Sequence, residues 1–380
     1  MTTYQKIIPI ANQILKKYDL CDHCLGRLFS KQLHLSSNKL LGKKLKKNSK
    51  STQRCYICKN LFENLNYFLN MMLDTVSPYS YSSFSVGAII KPSIIDRDDA
   101  IRSKYKLKGI DGIKTDITKE LVKLFSKKTK KTFDYLDPEI VFTVNLKNES
   151  CDIRSKSLTL SGRYVKSIRG FSQKQKSCSN CSGKGCRICD FHGITEYDSV
   201  EGEISQFLFK KLGGTTAKFT WIGSEDKSSL ILGTGRPFFV KIQNPHKRKL
   251  RTSANLEHVK VRNFKIVLNS PKKPLKFNSL VEAKISTSSK IDSKLLRKLK
   301  NLLKNPVVVY EKSGKRSEKR ILSIKSKKYD DNSFTLFFKF EGGLPVKRFV
   351  TGDDVSPGMS QTLGMSCKCL EFDFHNVEVK

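Results

Sequence analysis

Eight of this chain's 11 cysteines fall into four C-x-x-C pairs: Cys21/Cys24, Cys55/Cys58, Cys178/Cys181 and Cys186/Cys189. Each such turn sets two thiolates on one side of a tight loop. Two turns complete a four-sulfur tetrahedron, the donor set of structural zinc. Residues 178–189 hold two pairs only four residues apart, with Gly183 and Gly185 free to turn the backbone between them. One ion is therefore expected there. Cys21, Cys24, Cys55 and Cys58 then share a second, which forces the intervening segment to fold back on itself. Four thiolates leave no open position for water, so both sites read as structural. Iron–sulfur ligation uses the same donors and stays open, as does redox chemistry at a single pair. His23 and His192 sit beside the turns and read as supporting or exposed residues, and Cys151, Cys367 and Cys369 as unpaired. Residues 1–20 carry Lys6, Pro9, Lys16 and Lys17 and no continuous apolar run, so no signal peptide is expected. No stretch of about 18 apolar residues occurs, so no membrane span is expected either. The compartment read from this is cytoplasmic, where disulfides are rare.

Charge narrows the partner. Lys plus Arg number 72 against 35 Asp plus Glu, a net charge of +37. An acidic substrate pocket needs a few cations, not dozens, so a polyanion fits better and nucleic acid comes first. An anionic membrane surface is weaker, because the charge runs along the whole chain and gathers on no single amphipathic segment.

Periodicity predicts an α+β chain. Ile7, Ile8, Ala11, Ile14 and Leu15 mark a helix over 4–17. A lysine run follows the first knuckle: Lys43, Lys44, Lys46, Lys47 and Lys50. Strands are expected at Val86-Gly-Ala-Ile-Ile90, Ile140-Val-Phe-Thr-Val-Asn-Leu146 and from Leu158 into a basic turn at Arg169, and helices at 116–126 and 204–212. From residue 218 the pattern is strand-rich, with Leu230-Ile-Leu, Phe238-Phe-Val-Lys-Ile242 and residues 334–340. Residues 293–304 read as a basic amphipathic helix with Leu295, Leu296, Leu299, Leu302 and Leu303 inward. Val307-Val-Val-Tyr310 and Ile321-Leu-Ser-Ile324 flank Ser313-Gly314 as a hairpin.

Gly233-Thr-Gly235 runs into Arg236-Pro237 with no helix start, so it is no dinucleotide fingerprint, and no Walker A sequence or serine-hydrolase elbow occurs. The stretch Trp221-Ile-Gly-Ser-Glu-Asp-Lys-Ser-Ser-Leu-Ile-Leu-Gly-Thr-Gly-Arg-Pro-Phe238 is richer. It holds the sole tryptophan and an acidic pair, Glu225-Asp226, within a cationic chain.

An ordered set of motifs resembles the archaeal-type tRNA pseudouridine synthases that modify T-loop positions 54 and 55. The set comprises Cys21-Asp-His-Cys-Leu-Gly-Arg27-Leu-Phe, Gly162-Arg-Tyr-Val-Lys-Ser-Ile-Arg169 with Gln173, the 178–189 knuckle, Gly233-Thr-Gly-Arg-Pro-Phe238, Asn244-Pro245, Gly342-Gly-Leu-Pro-Val-Lys347 and Gly352-Asp353. The resemblance implies that Asp226, in Gly223-Ser-Glu-Asp226, is the catalytic nucleophile. It also implies that Phe277, Pro345, Lys347 and Arg236 bind the substrate, with Phe277 as a platform for the flipped base and Lys347 as a partner of Asp226 or of phosphate. The segment with Arg163, Tyr164, Lys166 and Arg169 looks like the end of an RNA-binding THUMP region. Three positions depart from the family pattern. Ser224 replaces an arginine, removing a cation beside the aspartate; Phe277 replaces a tyrosine and keeps only its ring; Pro345 replaces another tyrosine and keeps neither ring nor hydroxyl.

The expected organisation is a zinc-knuckle module over 1–65, a THUMP-like RNA-binding domain over 66–194 ending in the second knuckle, and a pseudouridine synthase domain over 195–380 with a mixed, largely antiparallel sheet. The implied partner is tRNA, bound by a monomer. Pseudouridine formation has no redox step or phosphate donor, so no catalytic cofactor is expected beside structural zinc. A tRNA- or rRNA-binding zinc protein of the same fold with weakened or lost chemistry is the alternative, motivated by Ser224 and Pro345. A zinc-dependent DNA-binding protein is a third.

Overall fold

A computed structural model describes residues 3–30, 33, 37–46, 54–107, 111–311 and 313–380. Lys47 and Lys50 of the lysine run lie outside the described residues. The chain forms two compact units, Met1–Lys156 and Ser157–Lys380.

The first unit opens with Thr3–Leu15 (α1), which buries Ile7, Ala11 and Ile14 at helical spacing. Asp22–Ser30 (α2) and Asn38–Lys46 (α3) then touch backbone to backbone. A Cβ on Gly26 would lie 1.8 Å from the Asn38 carbonyl oxygen, and one on Gly42 1.8 Å from that of Asp22. Only glycine permits that approach, and it brings Cys21 and Cys24 back against the core. Leu65–Val76 (α4), Ser83–Ile89 (β1), Pro92–Lys104 (α5), Ile113–Thr129 (α6), Thr132–Phe133 (β2), Ile140–Asn145 (β3) and Ser150–Ser155 (β4) complete the unit. The sheet order is β2-β1-β3-β4, with β1 parallel to both neighbours and β4 antiparallel to β3. Phe84, Phe125 and Phe142 meet edge-on in the core, at centroid separations of 4.7 and 4.9 Å. Arg27, from the first knuckle motif, is buried. It pairs with Asp98 of α5 and donates to the Asp111 carbonyl at 2.9 Å, tying α2 to the chain that enters α6.

The second unit comprises Leu158–Lys166 (β5), Val200–Leu212 (α7), Ala217–Trp221 (β6), Leu230–Ile242 (β7), Ala254–Asn255 (β8), Val259–Val267 (β9), Phe277–Thr287 (β10) and Ser293–Lys298 (α8). A 3-10 turn at Leu299–Leu303 follows, then Val307–Tyr310 (β11), Arg316–Lys319 (β12), Ile321–Lys328 (β13), Ser333–Glu341 (β14), Val346–Thr351 (α9), Val355–Ser356 (β15), Met359–Leu363 (α10) and Cys367–Val379 (β16). The main sheet runs β13-β14-β10-β16-β7-β5-β9-β8, with β6 also on β7. Its β16–β7 pairing is parallel and the other described pairings are antiparallel, the mixed, largely antiparallel sheet expected. A small sheet, β12-β11-β15, stands apart.

Four details differ from the sequence expectations. The segment from residue 158, expected within a domain reaching 194, is the interior strand β5. Leu160 pairs with Val240 of β7 on one edge and with Ile266 of β9 on the other, so it belongs to the second unit's sheet. Leu230-Ile-Leu and Phe238–Ile242 form one strand, bulged at Gly233 and Gly235. A Cβ on Gly233 would lie 2.1 Å from the His375 oxygen, and one on Gly235 2.5 Å from that of Tyr164. The hairpin partner of β11 is Arg316–Lys319, because a tight turn with Gly314 at φ +78° closes first; Ile321 to Ile324 pair with β14. The 293–304 helix tightens from α8 into the 3-10 turn; α8 buries Leu296, and the turn buries Leu299 and Leu302 three residues apart and leaves Leu303 40% exposed.

Candidate active site

Asp226 sits in the turn between β6 and β7. Gly223, at φ +74°, starts that turn, and a Cβ there would strike Phe277 and Arg236. The Asp226 carboxylate closes a local ring: Oδ1 accepts the Ser228 amide at 2.9 Å and its hydroxyl at 2.7 Å, while Ser229 Oγ donates to the Asp226 carbonyl at 2.8 Å. Oδ2 accepts Lys347 Nζ at 2.8 Å, delivered by the first turn of α9. Asp226 and Lys347 are 34% and 49% exposed, so a ligand can reach the pair. Burial pushes the Asp226 pKa up, but the Lys347 and Ser228 hydrogen bonds outweigh it and bring the value down to about 2. The carboxylate is ionised at neutral pH. It faces a cavity of about 390 Å3, lined also by Ser224, Pro345, Lys347, Phe372 and Phe374. Lys347 thus meets Asp226, one of the two partners considered for it, and places a cation beside the carboxylate where Ser224 has none.

Glu225 points the other way. Its side chain is fully enclosed, with Oε1 2.9 Å from Lys166 Nζ, and Oε2 accepting the Tyr164 hydroxyl at 2.7 Å with Arg236 Nε 3.8 Å away. Gln173 Nε2 donates to the Tyr164 hydroxyl at 3.0 Å. Lys166 Nζ also donates to the Phe171 carbonyl at 2.9 Å. Arg236 donates to the Ile222 carbonyl at 3.0 Å, and its guanidinium lies 4.4 Å from the Phe374 ring centroid. This buried cluster holds both ends of the turn that presents Asp226.

The sequence-nominated residues therefore separate. Asp226, Lys347 and Pro345 line the cavity. Arg236 is buried behind it and does not line it. Phe277 packs against Gly223 and Gly342, and the rings that line the cavity are Phe372 and Phe374. Tyr164 and Lys166, nominated for RNA, are fully buried in the Glu225 cluster and closed to a phosphate backbone. Arg163 donates to the Thr234, Gly235 and Val377 carbonyls at 2.8, 2.6 and 2.6 Å and so clamps the β7 bulge. Arg169 grips Asp373 through two bonds of 2.7 and 2.8 Å and donates to the Ser228 carbonyl at 2.7 Å. Both of these are partly exposed. Phe372 and Phe374 escaped the sequence reading. Their one signal is the alternation Phe372-Asp-Phe374 in the last strand, which is common to any half-buried strand.

The eight paired cysteines meet in the two tetrads expected. In each, the four sulfurs lie within 4.8 Å of one another. Cys21 and Cys58 sulfurs are 3.7 Å apart, Cys181 and Cys189 3.8 Å, and Cys186 and Cys189 3.7 Å. A tetrahedron with zinc–sulfur bonds of about 2.3 Å has edges of about 3.8 Å, so the donors fit that ion. Amides of Gly185, Cys186 and Gly193 point at the second tetrad's sulfurs at 3.2 Å, the arrangement that offsets thiolate charge. The first tetrad lies in the core of its unit; the second is half open. His192 stacks on Phe209 of α7 at 3.9 Å and fixes the second knuckle to that helix. No described helix is long and apolar enough to cross a membrane.

Residues 159–378 match the family described as "Pus10, C-terminal", and residues 68–145 match "Pus10 THUMP domain, archaeal". The tRNA pseudouridine synthase Pus10 of Nitrosopumilus maritimus (strain SCM1) is 88% identical to this chain over 381 residues, covering 100% of both. That of Cenarchaeum symbiosum (strain A) is 34% identical over 366 residues, 96% of this chain and 90% of its own. The Methanocaldococcus jannaschii protein of the same name is 27% identical over 428 residues, 95% of this chain and 92% of its own.

Proposed function

The chain belongs to the Pus10 family, and we propose that it isomerises uridine to pseudouridine in the T-loop of tRNA, at position 54, position 55 or both, with Asp226 as nucleophile. The reaction breaks the N1–C1′ bond, turns the uracil and joins C5 to C1′. The C5 proton is lost and N1 gains one, so atoms and charge balance with no co-reactant. Asp226 begins it either by attacking C1′ or by taking the proton whose loss gives the glycal; both routes require an ionised carboxylate.

The observation that carries this reading is that carboxylate: depressed to about 2, held by Lys347 and Ser228, and open to a cavity walled by two aromatic rings. Phe372 and Phe374 give an extruded base an apolar wall. Lys347 holds the carboxylate in its charged form and stands ready to balance charge at the sugar. The matched THUMP region lies in the first unit, which grips the tRNA. Each tetrad holds one structural zinc: Cys21, Cys24, Cys55 and Cys58 in the first unit, Cys178, Cys181, Cys186 and Cys189 in the second. Zinc there supplies crosslinks between loops and takes no part in the reaction.

Ser224 and Pro345 both line the cavity where the family carries an arginine and a tyrosine, which favours the second reading, a tRNA-binding protein with weakened chemistry. Mapping pseudouridine in an unmodified tRNA transcript separates the two. T-loop product from wild type and none from Asp226→Ala supports the isomerase. Retained binding with no product from wild type supports the second reading.

A further inference from the structure

The second unit carries a larger cleft that shares no lining residue with the Asp226 cavity. It measures about 810 Å3 and is lined by Phe207, Lys211, Lys249, Leu250, Arg251, Ser253, Ala254 and Asn255. Three of these eight residues are cations and none is an acid. The three cations are exposed, so they face solvent without a carboxylate in the cleft to balance them.

The cleft is built, not a chance fold of a loose loop. Its basic loop, which contains Lys247-Arg-Lys-Leu-Arg251, is fastened at both ends. His246 and Lys247 amides donate to the Leu212 carbonyl at the end of α7, at 2.8 and 2.9 Å. The Phe264 amide donates to the Thr252 carbonyl at 2.9 Å, and Ala254 and Asn255 pair with Val261 and Lys260. The half-buried Phe207 lies nearly parallel to the buried Phe264, with centroids 6.1 Å apart and 15° between ring planes, and gives the cleft an aromatic wall. Exposed cations beside an aromatic ring, with a hydroxyl and an amide nearby, match a ribose–phosphate chain. Phosphates take the lysines and arginine, a sugar or base rests on Phe207, and Ser253 or Asn255 can read a 2′-hydroxyl.

We infer that this cleft is a second RNA site, which holds the tRNA backbone away from the target uridine. The inference rests on the tRNA-modification reading for the identity of the RNA. It makes the second unit a two-point holder of its substrate, with Asp226 at one point and Lys211, Lys249 and Arg251 at the other.

The test uses the full-length, metal-replete protein and an unmodified tRNA transcript. One variant combines Lys211→Glu, Lys249→Glu and Arg251→Glu; a second keeps the charge with Lys211→Arg, Lys249→Arg and Arg251→Lys. Filter binding across a salt series is read beside steady-state pseudouridine formation. Charge reversal is expected to weaken binding roughly tenfold or more and to flatten the salt dependence by about three in log–log slope, one for each lost phosphate contact. In turnover the loss falls on KM for tRNA and not on kcat. The charge-keeping variant stays close to wild type. Wild-type affinity and salt slope in the reversed variant overturn the inference, and so does equal weakening of both variants, which marks local structural damage. A wild type that binds tRNA but makes no pseudouridine removes the isomerase reading alone, because the binding series still decides the cleft.

Discussion

Lys166→Met removes one cation from a closed ion cluster, and its consequence follows from the geometry. Lys166 and Glu225 side chains are both 0% exposed and 2.9 Å apart. Removing one partner of a buried pair leaves an uncompensated charge, at about 3–5 kcal/mol. Glu225 would retain the Tyr164 hydroxyl at 2.7 Å and Arg236 at 3.8 Å, which places the change at the lower end, about 3 kcal/mol. A domain of 150–250 residues shifts by about 2–4 °C per kcal/mol, so the Ser157–Lys380 unit should melt about 6–12 °C lower. The assay is thermal unfolding of the metal-replete protein beside tRNA binding below the transition. A melting point within about 2 °C of wild type together with weakened tRNA binding would refute the reasoning, because Lys166 would then be an RNA contact.

Further predictions follow from the same site. Lys347→Ala should move the acid limb of kcat/KM upward, as the Asp226 pKa returns from about 2 toward the ordinary 3.8 once its main opposing hydrogen bond is gone; a pH profile reads this. The sign for stability agrees: the Asp226 contribution is complete above the ordinary carboxylate value and is lost as pH falls through about 2, so Lys347→Ala should narrow the acid tolerance seen by pH-dependent unfolding. Gly235→Ala places a Cβ 2.5 Å from the Tyr164 carbonyl oxygen at φ +77°, and should destabilise by about 1–3 kcal/mol or more in urea unfolding. Metal analysis should find two zinc ions per chain. Stripping them should lower the melting point of the first unit more than that of the second, because Cys24, Cys55 and Cys58 are core residues whereas Cys181 and Cys186 are half open.

The cysteine spacing was the most legible feature. Residues 178–189 close a tetrad by chain length alone, and the remaining pairs had only each other. Asp226 is nominated by the motifs around it, not by its own pattern, since an acidic pair is ordinarily a loop or cap; its role stands as the proposal above. What stayed hidden was direction. Glu225 and Asp226 are neighbours, yet one turns inward to three basic or hydroxyl groups and the other outward to Lys347, and no periodicity marks a turn's two faces. Lys166 reads as an RNA contact because its segment resembles the end of a THUMP region; a buried glutamate supplied by a segment some sixty residues away reverses that. Phe372 and Phe374 reach the cavity by the parallel pairing of β16 with β7, a long-range contact with no local signature. β5 is placed with the first unit by its resemblance to the end of a THUMP region, whereas its sheet partners lie 65 to 108 residues later in the chain, where no local pattern points to them.

The central claim is that Asp226 converts a T-loop uridine. The most direct measurement maps pseudouridine in an unmodified tRNA transcript after incubation with wild type and with Asp226→Ala, both zinc-replete and both shown to bind the tRNA. The account predicts product at position 54, 55 or both with wild type and none with the variant. Product from Asp226→Ala at the wild-type level would contradict it, and would move the chemistry to another residue.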